Sequence, residues 1–239
     1  AVTTGLANTA IGYNALSGED EHGYNTAVGH GALKVQNAGA NAYNVAVGAS
    51  AGLSVTTGTQ NTLIGGEAGD ALTTGSSSVA LGYRALTTED TGSRNVAIGD
   101  NALAALNYDG VGYNVAMGFY AGAAMTTGVQ NTLIGGNAGD ALTIGGYNTA
   151  LGYAALGATT VGTRNVAVGQ NALLTNILTD RNVAIGTAAL ESLVGDGSTA
   201  NQTTYNTAVG YGAGFAVTTG IENTLFGGLA GDALTTGSY

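Results

Sequence analysis

The chain has 239 residues, 42 of them Gly, with no Pro, Cys or Trp, so disulfides and thiolate metal sites are excluded. Its 15 acidic and five basic residues give a formal charge of −10, which disfavours nucleic acid and anionic membrane surfaces as partners. No apolar run reaches the roughly 18 residues of a membrane span, so no membrane insertion is expected in this segment.

One five-residue motif recurs thirteen times, and it reads Asn, Thr or Val, Ala or Leu, a large apolar residue, and Gly. The first residues of the motif, called anchors below, are Asn8, Asn25, Asn44, Asn61, Ser78, Asn95, Asn114, Asn131, Asn148, Asn165, Asn182, Asn206 and Asn223. Nine of the twelve intervals between anchors are 17 residues, two are 19 and one is 24. A short strand at a fixed period is typical of solenoids. The sequence therefore predicts an all-β parallel β-solenoid of about 13 coils, forming a single domain over residues 1–239.

Two further positions of the coil do not vary. A Gly follows every anchor by four residues, as at Gly12, Gly29, Gly48 and Gly65. It predicts a backbone that needs positive φ or lies against the next coil. An Ala follows every anchor by seven residues, which indicates a narrow interior. The anchor Asn is expected to occupy a left-handed turn and to hydrogen-bond from coil to coil, as stacked amides do.

The strand within the motif has two apolar faces. Thr9 and Ile11 lie on one face of the first strand, and Ala10 lies on the other. An isolated solenoid covers only the inner face of each strand, whereas apolar residues on both faces are typical of a sheet buried on both sides. The sequence therefore predicts self-association along the whole length, as a trimer.

The two ends suggest a second mode of association. The chain does not begin with Met, which indicates a processed or excised segment. Ala1 to Gly5 match the end of a coil, and Tyr239 stands where a further anchor would follow. Neither end carries a polar capping repeat. We expect either a slice of a longer array or protomers that stack head to tail, and the handedness of the solenoid stays open on the residues alone.

The repeats resemble those of a known family. NVAIG from Asn95 and SVALG from Ser78 are similar to the head repeats of YadA-like trimeric autotransporter adhesins. NTAIGYNAL from Asn8 and NTALGYAAL from Asn148 resemble the NTAIGYxAL repeats of bacterial surface and phage tail-fibre proteins. The resemblance spans the chain and implies a left-handed, trimeric β-roll, located outside the cell, at the cell surface or in a virion fibre. The period differs, because those heads repeat about every 14 residues.

Two classes of function follow. The first is a non-catalytic structural protein that builds an extracellular fibre or filament from copies of itself. The alternative is an adhesin head or tail-fibre shaft that binds a host-surface protein or glycan. Two remote alternatives are a hexapeptide-type acyltransferase, which would need three hexads per coil, and an ice-binding protein, which would need a Thr-x-Thr rank on nearly every coil. We expect no enzyme activity, no catalytic residue and no cofactor.

Several acidic residues are candidate metal ligands. Acidic segments at 19–21 and 89–90, together with Asp196, could gather Ca²⁺, because that ion prefers carboxylate oxygens. Solvated loop charge is the interpretation that we favour, so no metal site is predicted. The two histidines, His22 and His30, are expected at surface or ladder positions.

Tyrosine and one loop supply the candidate partner-binding residues. Nine of the 12 Tyr residues fall at two positions of the coil, either directly before the anchor or directly after the motif Gly. Aromatic rings with a polar tip suit protomer packing or a binding stripe. The longest coil carries an irregular loop from Gly195 to Tyr205, and such loops are preferred contact sites. The candidates are Tyr13, Tyr83, Tyr153, Tyr211, Asp196, Asn201 and Tyr205.

Overall fold

The structure, a computed structural model, describes residues 6–19, 22–196 and 202–238, and these residues form strands and turns without an α-helix. They build an all-β parallel β-solenoid of about 12 turns with a period of about 17 residues, which confirms the predicted fold. The thirteen strands of the motif are β1 (Thr9–Ile11), β2 (Thr26–Val28), β3 (Val45–Val47), β4 (Thr62–Ile64), β5 (Val79–Leu81), β6 (Val96–Ile98), β7 (Val115–Met117), β8 (Thr132–Ile134), β9 (Thr149–Leu151), β10 (Val166–Val168), β12 (Val183–Ile185), β14 (Thr207–Val209) and β15 (Thr224–Phe226). A small second sheet contains β11 (Thr179–Asp180) and β13 (Gln202–Thr203).

The chain divides into two compact units, Ala1–Asn114 and Val115–Tyr239. In the first unit β1 to β6 follow one another in a parallel sheet, and in the second β7 to β10, β12, β14 and β15 do the same. Within each unit every strand pairs with the equivalent residues of the next, as where Thr62 pairs with Val79. The strand therefore repeats in register, and each coil adds one rung to the sheet.

Glycine ends each strand because two coils approach closely there. Gly65 has a φ of 134°, and a Cβ on it would lie 2.3 Å from the carbonyl oxygen of Gly82. Any side chain would meet rigid backbone, so the position must be Gly. The amide of Gly65 donates to the carbonyl of Val47, in the preceding coil, at 2.8 Å. Both reasons predicted from the sequence, positive φ and close approach, are confirmed.

The interior is filled by small residues and by larger aliphatic side chains, most of them Leu. The central residue of the strand and the Ala seven residues after the anchor are fully buried, as at Ala97 and Ala102. In seven coils a Leu follows that Ala, as at Leu103, whereas the other six have Gly there, and three of these six have a Leu at the centre of the strand. Leu63 is such a case. Its side chain lies 2.7 Å and 2.9 Å from where Cβ atoms on Gly52 and Gly69 would stand.

The anchor asparagines form a buried ladder. The side-chain oxygen of Asn44 accepts the backbone N–H of Asn61 at 2.9 Å, and that of Asn61 accepts the N–H of Ser78 at 3.0 Å. The Asn61 side-chain amide donates to the Gly75 carbonyl at 2.9 Å. The predicted coil-to-coil hydrogen bonding is thus confirmed. The predicted left-handed backbone was wrong, since the positive φ belongs to the preceding residue, as at Gln60 with 61°.

Longer coils add residues away from the strand. The two 19-residue coils run from Asn25 to Asn44 and from Asn95 to Asn114, and the 24-residue coil runs from Asn182 to Asn206. In the longest coil, β13 pairs with β11 of the preceding coil and so fixes one side of the insertion. The insertions therefore leave the register of the main sheet unchanged.

Candidate interaction surfaces

The outward face of the strands is apolar in both units. In each strand the central residue points inward, while the first and third residues remain partly exposed, and these are Thr or Val followed by an aliphatic, Met or Phe side chain. Leu81 is 42% exposed and Leu151 is 47% exposed, in the first and second unit respectively. No described residue of this outer strand face is charged. The outer strand face of each unit is therefore a continuous row of partly exposed apolar residues, and an apolar surface of this kind marks a site of interaction.

The tyrosines after the motif Gly share one position of the coil but do not contact one another. Tyr13 and Tyr83 belong to the coils of β1 and β5 in the first unit, and Tyr153 and Tyr211 to the coils of β9 and β14 in the second. All four are exposed, from 49% at Tyr83 to 72% at Tyr13. Tyr13 stacks on His30 with ring centroids 5.5 Å apart. These candidates are therefore separate aromatic points, not a continuous stripe.

The residues directly before the anchors form a second exposed ladder, and here rings and guanidinium groups meet. Tyr24 and Tyr43 stack on successive rungs, with centroids 5.0 Å apart. Arg94 lies over the ring of Tyr113 at 5.7 Å and donates to its hydroxyl at 3.3 Å. In the second unit Arg164 lies over Tyr147 at 5.0 Å, and Arg181 lies over Tyr205 at 5.8 Å.

Sequence reasoning found these tyrosines and missed the arginines. The signal was available, because Arg94, Arg164 and Arg181 each stand directly before an anchor. Every residue at that position from Tyr24 onward has positive φ, as Arg164 does with 57°. The backbone amide of Arg164 donates to the carbonyl of Gly146 in the preceding coil at 3.1 Å, and its side chain is exposed. Tyr and Arg residues thus lie in one ladder because they occupy the same position of successive coils, although they are far apart in the sequence.

The loop of the longest coil is closed by a short polar contact. The backbone N–H of Asp196 donates to the side-chain oxygen of Gln202 at 2.8 Å, and the Gln202 side-chain amide donates to the Asp196 carboxylate. Asn201, the third candidate in this loop, lies outside the described residues. Tyr205 is 54% exposed and contacts Arg181. The loop therefore places Tyr205, but not Asp196, in the ladder of residues that directly precede the anchors.

Tyr211 also lines a shallow cleft of about 250 Å³ in the second unit. Its walls are Tyr211, Phe215 and Leu229, with Asp232 at one side. The cleft exists because Ala188 and Gly212 are small at a position where Leu229 is large. Of the predicted partner-binding residues, Tyr211 is thus placed in a concave surface.

The favoured interpretation of Glu19 and Glu89 as solvated loop charge was wrong, because both side chains are buried. Glu89 accepts the backbone N–H of Gly92 at 2.7 Å and that of Tyr108 at 3.3 Å. Burial raises the pKa of Glu89, and the two backbone hydrogen bonds oppose that shift. Glu19 likewise accepts the backbone N–H of His22 at 3.0 Å.

Each buried Glu lies in the coil that precedes a 19-residue coil. The longer coil displaces the carbonyl that would accept an N–H in a regular coil, and the carboxylate replaces it. Asn176 does the same before the 24-residue coil, because its side-chain oxygen accepts the N–H of Thr179 at 3.0 Å. Aligning the coils by their anchors would have revealed these polar residues at an otherwise mostly apolar inner position. Their role is to satisfy buried backbone donors.

The remaining ionisable residues are dispersed. His30 is exposed on the ladder after the motif Gly, and His22 is half-buried beside Glu19. Asp20 and Glu21 lie outside the described residues. Within the described part of the chain, no three His, Asp or Glu side chains are grouped so that they could hold a metal ion. The same residues contain no helix with the length and apolar character needed to cross a membrane.

Comparison with known proteins finds no matching family model, no matching curated protein and no matching solved structure. Functional inference therefore depends on the surfaces described above.

Proposed function

We propose that this protein is a non-catalytic structural protein whose copies associate side by side to build an extracellular fibre, at a cell surface or in a virion. The observation that carries the proposal is the apolar outer strand face, which runs along every rung of each unit without a charged residue. Partly exposed aliphatic residues such as Ile98 and Ile134 lie on a regular sheet there. Covering this face is the main free-energy gain that association offers.

The periodicity of the face favours a second copy of the chain as the partner. Successive rungs of a parallel sheet are about 4.8 Å apart. A partner that packs on every rung must repeat at the same spacing, and an identical solenoid does so automatically. The absence of charge on the described part of the face also matters, since each chain carries a formal charge of −10. Like charges would otherwise be brought together at the interface.

A closed cyclic arrangement covers the outer strand face of every copy, and among such arrangements we propose the one with three copies per cross-section. The resemblance to trimeric adhesin heads supports this number, the left-handed coil and the location outside the cell. Head-to-tail stacking of such trimers stays a prediction from the sequence.

Sedimentation of variants tests the proposal. The wild-type chain is expected to sediment at three times 23.3 kDa. Leu81→Lys combined with Leu151→Lys places one charge on the outer strand face of each unit and should yield monomers. Ile144→Lys is the matched control, because Ile144 is 58% exposed but lies outside the strands. A wild-type monomer at high concentration, or a Leu81→Lys/Leu151→Lys variant that still forms trimers, would contradict lateral packing through this face.

A second function is supported by a different observation. The tyrosines before the anchors and those after the motif Gly are exposed and lie outside the outer strand face, so they are available to a partner of another kind. An adhesin or tail-fibre shaft that binds a host-surface protein or glycan would use such rings. Binding of the purified protein to host-type glycans, lost on Tyr→Ala substitution in the ladders, would distinguish this function from a purely structural one.

A further inference from the structure

Two arginines stand on successive rungs of the second unit. They precede the anchors Asn165 and Asn182, and the tyrosines on either side of them precede Asn148 and Asn206. We call this set, Tyr147, Arg164, Arg181 and Tyr205, the Tyr–Arg stripe. Rungs of the sheet are about 4.8 Å apart, so like charges on adjacent rungs repel each other. The position directly before the anchor also accepts uncharged polar residues, as at Gln60, Ser77 and Gln130.

The geometry of the stripe shows how the two charges are accommodated. Arg164 leans over Tyr147, on the preceding rung, and Arg181 leans over Tyr205, on the following rung. Each guanidinium also donates one hydrogen bond to a hydroxyl, Arg164 to Thr163 at 3.4 Å and Arg181 to Thr203 at 2.7 Å. Each guanidinium thus lies about one rung from its ring, and the two arginines stand on adjacent rungs between the two tyrosines.

Neither guanidinium forms an ion pair within the described part of the chain. Arg84, by contrast, has a carboxylate partner, with its Nε 2.9 Å from Glu67. No described carboxylate lies within 4 Å of the Arg164 or Arg181 guanidinium. This is unusual in a protein with 15 acidic and only five basic residues. A paired cationic site without a counterion is a place where an external anion gains energy.

The rings define the class of anion. Tyr147 is 49% exposed and Tyr205 is 54% exposed, so each ring keeps apolar surface for a ligand beside its guanidinium. We propose that the Tyr–Arg stripe binds a carboxylated sugar, with the carboxylate held by both arginines and the apolar face of the ring against a tyrosine. A nucleic-acid strand is disfavoured, because the formal charge of −10 repels a dense row of phosphates. The inference names a ligand class for the second function above and does not depend on trimer formation.

Saturation-transfer NMR with α2,3-sialyllactose tests the site, with lactose as the neutral control. The wild-type protein should saturate the sialic acid protons and leave lactose unaffected. Arg164→Gln combined with Arg181→Gln should weaken binding about tenfold or more, because two charge-assisted contacts are lost. Arg84→Gln is the matched control: it removes one positive charge elsewhere, and its affinity should stay within about twofold of wild type. Tyr147→Ala with Tyr205→Ala should weaken binding while the carboxylate contacts remain.

Three results would overturn the proposal. They are equal binding of lactose and sialyllactose, unchanged affinity in the Arg164→Gln/Arg181→Gln variant, and binding of a sulfated sugar in place of the carboxylated one. Absence of any sialyllactose signal with the wild-type protein would also overturn it. Circular dichroism and sedimentation of the same variants separate this site from the fibre proposal, because fold and subunit number should match the wild type whether or not the sugar binds.

Discussion

The volume shared by Leu63 and Gly69 provides a quantitative test of the solenoid interior. Leu63 is fully buried, and each of the three strands with a central Leu, at Leu63, Leu133 and Leu225, is followed six residues later by Gly. Leu63→Ala removes a packed side chain next to backbone that cannot collapse, because Gly52 and Gly69 are hydrogen-bonded to the following coils at 2.9 Å. We expect the free energy of unfolding to fall by about 3 to 4 kcal/mol, within the range for buried Leu→Ala changes.

The reverse substitution should overfill the same space. A Cβ at Gly69 would stand 2.9 Å from Cδ2 of Leu63, so Gly69→Leu alone should cost roughly 1 to 3 kcal/mol. The positive φ of 56° at Gly69 is not prohibitive, since Leu86 holds 57° at the same position of the next coil. Combining the changes places the new Leu in the space left by the old one. The double variant should therefore be more stable than the sum of the single effects, by about 1.5 kcal/mol or more.

Urea unfolding followed by far-ultraviolet circular dichroism measures all four members of this cycle. Protein concentration must be fixed, because any association contributes to the apparent stability. If the two effects add within about 0.5 kcal/mol, Leu63 and Gly69 do not share volume and the description of the core is incorrect.

Three further predictions concern single positions. Asn61→Ala should lower the free energy of unfolding by about 2 to 4 kcal/mol, because it leaves a buried N–H and a buried carbonyl unpaired. Asn61→Ser should lower it by less, because one anchor is naturally Ser, and urea unfolding midpoints compare the two variants. Gly65→Ala should abolish soluble expression, because its Cβ would lie 2.3 Å from the Gly82 carbonyl oxygen. Gly66→Ala should be tolerated, because the nearest atom to its Cβ would be a ring atom at 3.5 Å. Equal soluble yields of the two variants would refute the close approach at Gly65. Burial raises the pKa of Glu89 above 4.5, so the folded protein holds that proton more tightly than the unfolded chain does. The stability of the wild type relative to Glu89→Gln should therefore fall as pH rises from about 4.5 toward neutrality. A difference in melting temperature between the two proteins that does not change with pH would contradict this.

The strand and its neighbours could be predicted because each has a local physical requirement. The Gly that ends the strand, the buried Ala after it and the anchor Asn were assigned to a close approach, a narrow interior and a hydrogen-bonded ladder, and the structure confirms all three. The left-handed backbone was assigned one residue too late. Asn is only one of several residue types that adopt it, and here the hydrogen bonds between coils impose it on Tyr, Gln and Arg instead.

The candidate surfaces were predicted less completely, because they depend on which residues the coil brings together. Glu89 reads as a loop residue in the sequence, yet it is needed inside to pair the amide of Gly92 beside a longer coil. Arg164 and Tyr147 are 17 residues apart, and their contact becomes evident only when the coils are aligned by their anchors. The side-chain interactions of this surface are formed between coils, and they are not evident from neighbouring residues in the sequence.

Electron cryomicroscopy of the purified protein counts the chains that pack together through the outer strand face, and it is therefore the decisive test of lateral association. We expect three solenoids per cross-section, with Leu81 and Leu151 covered by neighbouring copies. A single solenoid per cross-section, with this face still exposed at high protein concentration, would contradict it.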